Sequence, residues 1–338
     1  MNLATLDWAA LDRLRETFLR GSSSSASYWR SRSDLECYDR TFGERIGWKW
    51  DAVLHELKLR GWSPPAGPIL DFGCGSGVAS RRVVTAFGAA HFAGLAVHDR
   101  SALAEDFALA RAREEFPGLT VSRSTREQLT GNEAPGTLVV SHVLNELPAQ
   151  QRRQLLDLAA RSAAVIWVEP GTYVDSRALV AVREELRGRF AVIAPCPHCE
   201  SCGLLAPASE RHWCHHFAKP PSGIFADSDW TRFAQRAGID LRSLPYSFLV
   251  LDRSADRSMG LSAPSDLFRV LGEARHYKGF AKAFGCHASG VNELTLQKRD
   301  VPKMFKLLKD LDAPKLFHWG TKDDRVVAGG LWPQPAEE

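Results

Sequence analysis

The 338-residue chain has no run of about 18 or more apolar residues, the length that a membrane-spanning helix requires. Its amino terminus, MNLATLDWAALDRLRETFLR, lacks the apolar core of a secretory signal. Asp7, Asp12 and Glu16 are equally out of keeping with an acid-poor transit peptide, so the expectation is a cytoplasmic protein. An excess of one charge is also lacking. The 43 Lys and Arg against 40 Asp and Glu leave a formal net charge of +3, too little on its own to indicate a nucleic-acid binder. No internal repeat occurs. The composition, 44% hydrophobic and 25% charged, excludes wholesale disorder, and the length suits one large domain with an appendage.

The distribution of a few residue types says more than their totals. Between Arg269 and Lys315 stand ten Lys and Arg against five acids, a local surplus able to attract phosphate backbones; a solvated lysine face is the plainer reading. Seven cysteines in a chain without a secretory signal do not suggest a disulfide framework. Cys37, Cys74 and Cys286 are scattered, whereas Cys196, Cys199, Cys202 and Cys214 fall within nineteen residues.

The chain reads in pieces. Residues 1–62 carry helical spacing, broken by the serine run Ser22–Ser25 and stopped at Gly61 before Pro64 and Pro65. Residues 63–194 alternate short apolar runs with amphipathic stretches. Strands are expected at 68–72, 91–97, 137–141 and 165–169, and helices at 81–87, 102–116 and 150–162. This alternation predicts an α/β fold of parallel β-α-β units. Residues 195–222 interrupt the rhythm with Cys, His and Pro. Residues 223–318 predict a small α+β region with a helix at 227–237 and strands at 246–251 and 291–297. From Trp319 to residue 338 a fraying tail is expected.

Asp71-Phe72-Gly73-Cys74-Gly75-Ser76-Gly77 stands where a strand passes into a helix. Glycines allow a tight turn and close backbone approach, and the following helix offers free N–H groups. The spacing is G-x-G-x-G, neither the G-x-G-x-x-G of dinucleotide sites nor a P-loop. With the acid in front, it resembles motif I of the class I S-adenosylmethionine-dependent methyltransferases, whose sheet is Rossmann-like. The resemblance implies that Asp71, Gly73, Gly75 and Gly77 hold the methionine part of the cofactor. Asp99, at the end of the second strand, would accept the ribose hydroxyls, and Ser141, at the end of the fourth, would also line the site. The run Ser141-His142-Val143-Leu144-Asn145-Glu146-Leu147 lacks the Asn/Asp-Pro-Pro-Tyr of base-methylating enzymes, and no cysteine takes the place of a cytosine-C5 nucleophile. His142 is a candidate base, more simply read as a packing residue, and no catalytic residue is assigned.

The cysteine run offers thiolates to either of two metals. Zinc takes four ligands, usually from separated C-x2-C pairs, and His198, His212, His215 and His216 lie close enough in sequence to contribute. A compact C-x2-C-x2-C with a distant fourth cysteine equally suits an iron–sulfur cluster. Pro195-Cys196-Pro197-His198, Cys202, Trp213-Cys214-His215 and Lys278-Gly279 ahead of Cys286, on a chain bearing Ser-His-Val-Leu-Asn-Glu-Leu, resemble the methyltransferase-like family associated with the mitochondrial small ribosomal subunit, which also has bacterial members. The likeness spans roughly residues 40–300. It implies a [4Fe–4S] cluster on Cys196, Cys202, Cys214 and Cys286. Cys199 stands where that family usually has another residue, which leaves five candidates for four places and keeps zinc as the alternative.

The resemblance further implies a factor of small-subunit assembly that binds rRNA and ribosomal proteins, with neither DNA nor membrane as a partner. Methyl transfer is left open. An active rRNA methyltransferase is the first alternative and a small-molecule methyltransferase with structural zinc the second.

Overall fold

The computed structural model describes residues 6–20, 28–255, 266–309 and 315–332. The chain forms two compact units: Met1–Leu54, Ser63–Val168 and Lys219–Leu244 make the first, and His55–Trp62, Glu169–Ala218 and Pro245–Glu338 the second. Among the described residues no helix is long and apolar enough to cross a membrane.

In the first unit, α1 (Trp8–Arg20) and α2 (Arg32–Tyr38) lead through a turn of π-helix at Asp39–Gly43 into α3 (Glu44–Leu59). Leu14, Trp29 and Leu35 pack with Ala104 and Phe107. Five parallel strands follow in the order β3-β2-β1-β4-β5. They are β1 (Gly67–Phe72), β2 (Phe92–His98), β3 (Val121–Arg123), β4 (Thr137–Ser141) and β5 (Ala164–Pro170). Their connections are helical: α4 (Val78–Phe87), α5 (Ala102–Glu115), α6 (Arg126–Thr130) and α7 (Ala149–Arg161). Ile69, Leu138, Val139, Val165 and Ile166 are wholly buried, as strands covered on both faces require. The predicted α/β, Rossmann-like sheet is therefore present.

The sequence pattern missed β3 and α6, whose three and five residues are too short to display a period. It also started α4 at residue 81. Gly77, at φ +75°, turns the chain directly into the helix at Val78.

In the second unit, α8 (Tyr173–Leu186) precedes β6 (Ala191–Ala194), and β6 and β7 (His216–Phe217) pair antiparallel with β8 (Pro245–Asp252). The predicted helix at 227–237, here α9 (Ser228–Ala237), belongs to the first unit, with Asp227 as its N-cap.

The small α+β region is a closed barrel. Its strands are β9 (Leu267–His276), β10 (Phe280–His287), β11 (Gly290–Gln297), β12 (Leu316–Lys322) and β13 (Arg325–Leu331), with α10 (Pro302–Leu307) between β11 and β12. The barrel order is β10-β11-β13-β12-β9, antiparallel except for the parallel pair β11–β13. That is the connectivity of the oligonucleotide/oligosaccharide-binding fold.

The expected tail from Trp319 is thus a correction. Trp319 is 1% exposed and packs against Phe317 and Phe268 inside the barrel, and β13 supplies the closing strand. Gly329 read as a sign of fraying, yet any Cβ there would lie 1.8 Å from the carbonyl oxygen of His318. The glycine permits close strand pairing. Residues 333–338 lie outside the described residues.

Candidate functional site

The first site lies at the carboxyl ends of β1, β2 and β4, where strand order reverses between β1 and β4 and an open α/β sheet has its ligand crevice. Gly73, Gly75 and Gly77 all have positive φ, between +51° and +75°. A Cβ at Gly73 would meet Val143 Cγ2 at 2.7 Å, whereas one at Gly75 would meet nothing within 4 Å. The first glycine is needed for packing, and the second faces open space. The amides of Gly73 and Cys74 donate to the carbonyl of His98 (2.8 and 3.0 Å). Asp99 Oδ2 accepts from the Gly75 amide (3.0 Å) and its Oδ1 from the Ser101 amide (2.9 Å). Asp99 therefore ties the loop to β2, and each of its oxygens retains a lone pair for a hydroxyl donor.

Asp71 is wholly buried; its Oδ2 accepts from Ser80 Oγ at 2.5 Å. Among the described residues its Oδ1 and the buried Ser76 Oγ have no partner. Burial pushes the Asp71 carboxyl up to about 6. The orphaned oxygens and the open ground at Gly75 fit a polar ligand in this crevice, as the predicted residues require.

Ser141 is differently employed. Its Oγ accepts from Trp50 Nε1 (3.0 Å) and lies 3.2 Å from His142 Nδ1. His142 has φ +57°, and its Nε2 lies 3.4 Å from Lys49 Nζ. Burial and that ammonium hold the imidazole well below its ordinary pKa. Sequence reasoning passed over Glu146, which is pushed up to about 7 by burial and by Asp99, against the pull of Arg100 at 3.6 Å and a hydrogen bond with Tyr28. Nothing in the local spacing marks it, because Tyr28 and Arg100 are remote in sequence.

The second site gathers thiols within the second unit. Cys196 and Cys202 lie in the loop after β6, Cys214 just before β7, and Cys286 on β10. Cys202, Cys286 and the half-buried Cys214 share an apolar cluster with Val180, Leu204 and Leu271. Burial raises the Cys202 thiol to about 11 and those of Cys214 and Cys286 further. After burial, the rise comes from neighbouring thiolates drawn from the same four cysteines. The Cys199 Sγ accepts from the Val192 amide at 3.5 Å.

Helix α8 shapes the loop. Arg183, 2% exposed, donates through Nε to Cys196 Sγ (3.2 Å) and through Nη2 to the carbonyls of His198 (3.1 Å) and Glu200 (2.8 Å). Its neighbour Glu184 accepts from the Cys202 amide (3.1 Å) and pairs with Arg183. Ser176 Oγ donates to the Cys214 carbonyl (2.6 Å). A buried chain backs the other side. Cys214 Sγ lies 3.6 Å from His216 Nε2, and Arg269 donates to His216 Nδ1 (3.2 Å) and to Glu56 Oε1 (2.6 Å). Arg60 joins Glu56 to the carbonyl of Pro195 (2.7 and 3.0 Å). Because an arginine can only donate, His216 presents an Nε2–H to the sulfur.

The donor set, four free thiols beside buried arginines, fits an electron-poor group that binds thiolates. A single zinc needs its ligand atoms about 2.0–2.3 Å from one point. Among the described residues no three His, Cys, Asp or Glu are grouped to hold one ion.

Among solved structures the chain resembles magnesium protoporphyrin IX methyltransferase (ChlM) from Synechocystis PCC 6803 with bound S-adenosylmethionine. The identity is 15% and the TM-score 0.40, over 75% of this chain and 100% of that one. It is also similar to TrmK of M. capricolum in complex with S-adenosyl-homocysteine, at 8% identity and TM-score 0.31, over 58% and 66% of the two chains. No curated protein matches. The family described as mitochondrial small ribosomal subunit Rsm22 matches residues 51–310, a span that holds the glycine loop and all five candidate cysteines. The chain belongs to the mitochondrial small ribosomal subunit Rsm22 family.

Proposed function

We propose that this protein is an assembly factor of the small ribosomal subunit, with S-adenosylmethionine in the crevice of the first unit and a [4Fe–4S] cluster on Cys196, Cys202, Cys214 and Cys286 of the second. The observation that carries the reading is the gathering of thiols from separate segments: Cys202, Cys214 and Cys286 in one buried cluster, with Cys196 acting on all three. The cluster would be a cross-link, fastening the loop at 195–215 to strand β10, and its binding energy would then be folding energy. Zinc on the same loop is the alternative.

The loop from Asp71 to Gly77, with Asp99, would cradle the methionine and ribose parts of the cofactor. When bound, that cofactor supplies an electrophilic methyl group. The residues beside it are poorly suited to assist transfer: Ser141 Oγ is engaged by Trp50, and His142 is a weakened base. This favours binding without turnover. An active rRNA methyltransferase is the second reading, favoured by the intact glycine loop.

Oxygen-free purification followed by iron, zinc and sulfide analysis tests the metal assignment. About four irons per chain are expected, lost in Cys286→Ser and retained in Cys199→Ser. One zinc in a colourless protein overturns the cluster, and equal loss in both variants overturns the four-thiol assignment. Co-sedimentation with small subunits, weakening as salt rises, tests the partner. Transfer of a labelled methyl group to rRNA would establish the second reading in place of the first.

A further inference from the structure

We propose that the uncovered end of the barrel, the β9–β10 hairpin with the adjoining outer faces of β10 and β11, binds single-stranded RNA. In this fold the nucleic-acid face is the second and third strands with the loops joining the first to the second and the fourth to the fifth, here β10, β11, residues 277–279 and residues 323–324. Alternation sorts the side chains. Ala281, Ala283, Leu294 and Leu296 point into the barrel core. Phe280, Lys282 and Phe284 on β10, opposite Gln297, Thr295 and Glu293 on β11, face outward.

The two ends of that outer face differ. At one, the cysteine-bearing loop covers it: His212 lies over Phe284 with ring centroids 4.2 Å apart, and Cys286 and Val291 pack with Cys202 and Leu204. At the other end the hairpin tip is exposed among the described residues. Tyr277 is 48% exposed and stacks on Phe280, with centroids 4.5 Å apart and planes 13° apart. The pair is fixed by the hydrogen bond from the Tyr277 amide to the Phe280 carbonyl (2.8 Å).

Cations surround this platform. Lys278 is exposed at the tip, and exposed Lys298 is fastened beside it by its amide bond to the Gly279 carbonyl (2.9 Å). Arg275 and Lys282 share one acid, Glu293, leaving a positive charge over. Glu273 and Asp300 are the other acids nearby, and Asp300 is paired with Arg325. The loop joining β12 to β13 adds Asp323 and Asp324 beside β11, where the Thr295 amide donates to the Asp324 carbonyl (2.8 Å), so the surplus of cations lies at the β9–β10 tip.

A ring held flat and open to solvent, ringed by cations, takes an unpaired base and its phosphates; a duplex keeps its bases stacked out of reach. This deepens the ribosomal reading above and rests on it for the identity of the RNA. The test uses the full chain with a fluorescent unstructured oligouridylate and a duplex RNA of equal length. Single strands are expected to bind more tightly. Tyr277→Ala is expected to weaken them about tenfold or more while leaving duplex binding and thermal stability unchanged. Lys278→Gln is expected to lower both affinity and salt dependence. Tyr277→Ala binding like the parent, or single strand and duplex binding alike, overturns the proposal. Small-subunit co-sedimentation separates the two readings. If it persists in Tyr277→Ala while oligonucleotide binding is lost, this surface is not the ribosomal contact and the assembly reading stands. If oligonucleotides bind as expected but subunits never co-sediment, the assembly reading falls and the surface stands.

Discussion

Asp71 and Glu146 sit in the same crevice, and burial first of all raises both, to about 6 and about 7. The folded chain thus holds these protons more tightly than the unfolded chain, whose carboxyls titrate near ~4. Their contribution to stability is full below that range and is lost as pH rises through about 6 and then about 7. The slope is up to ~1.4 kcal/mol per pH unit for each group. Without ligand, the protein is expected to resist denaturant better at about pH 5 than at about pH 8 from these groups. Asp71→Asn and Glu146→Gln should each flatten that difference in urea titrations; an unchanged slope in both would contradict the assignment. At this scale the sequence could nominate Asp71, the three glycines and Asp99 as candidates, because they are consecutive or lie at a strand end. It could not disclose Glu146, whose environment is made by Tyr28, Asp99 and Arg100 only after folding.

Helix α8 behaves as a template for the thiol loop, and Arg183 is its central contact. Its planar fork meets a sulfur and two carbonyls at once, geometry that an ammonium cannot reproduce. Arg183→Ala strands the carbonyls of His198 and Glu200 and takes a positive charge away from Cys196. The expected cost is about 3 kcal/mol of stability and, on the proposed cluster, a fall in retained iron, and Arg183→Lys should restore only part of each. Thermal unfolding together with metal analysis checks this; full metal content in Arg183→Ala would deny α8 its role. The spacing of cysteines pointed to the loop, and the resemblance to a family nominated four of the five as ligands. Neither indicated Arg183 or the Glu56–Arg269–His216 chain, since their partners stand far apart along the sequence. Strands β1 and β4 were legible to within a residue because long apolar runs are forced by burial on both faces. The barrel was not: its strands show only partial alternation, and glycines at 329 and 330 imitate a loose end.

For the whole molecule, the barrel matters because it closes late. The family match ends at residue 310, whereas β12 and β13, which pair with β9 and β11, extend to Leu331. A fragment of residues 1–310 would leave both of those strands as open edges, a template for association. It is expected to elute as aggregate in size-exclusion chromatography and to bind less metal, while the full chain stays monodisperse. A well-behaved, metal-replete fragment would show that closure is dispensable.

The position of that last strand also sets an order in time. During synthesis, at ~5–20 residues per second, Cys196, Cys202 and Cys214 emerge several seconds before the barrel that fixes Cys286 can close. Three of the four proposed ligands would therefore be made before the strands that enclose the fourth. On the proposed four-thiol cluster, a chain abandoned before β13 would not complete the set, and metal loading would report that translation has passed that strand.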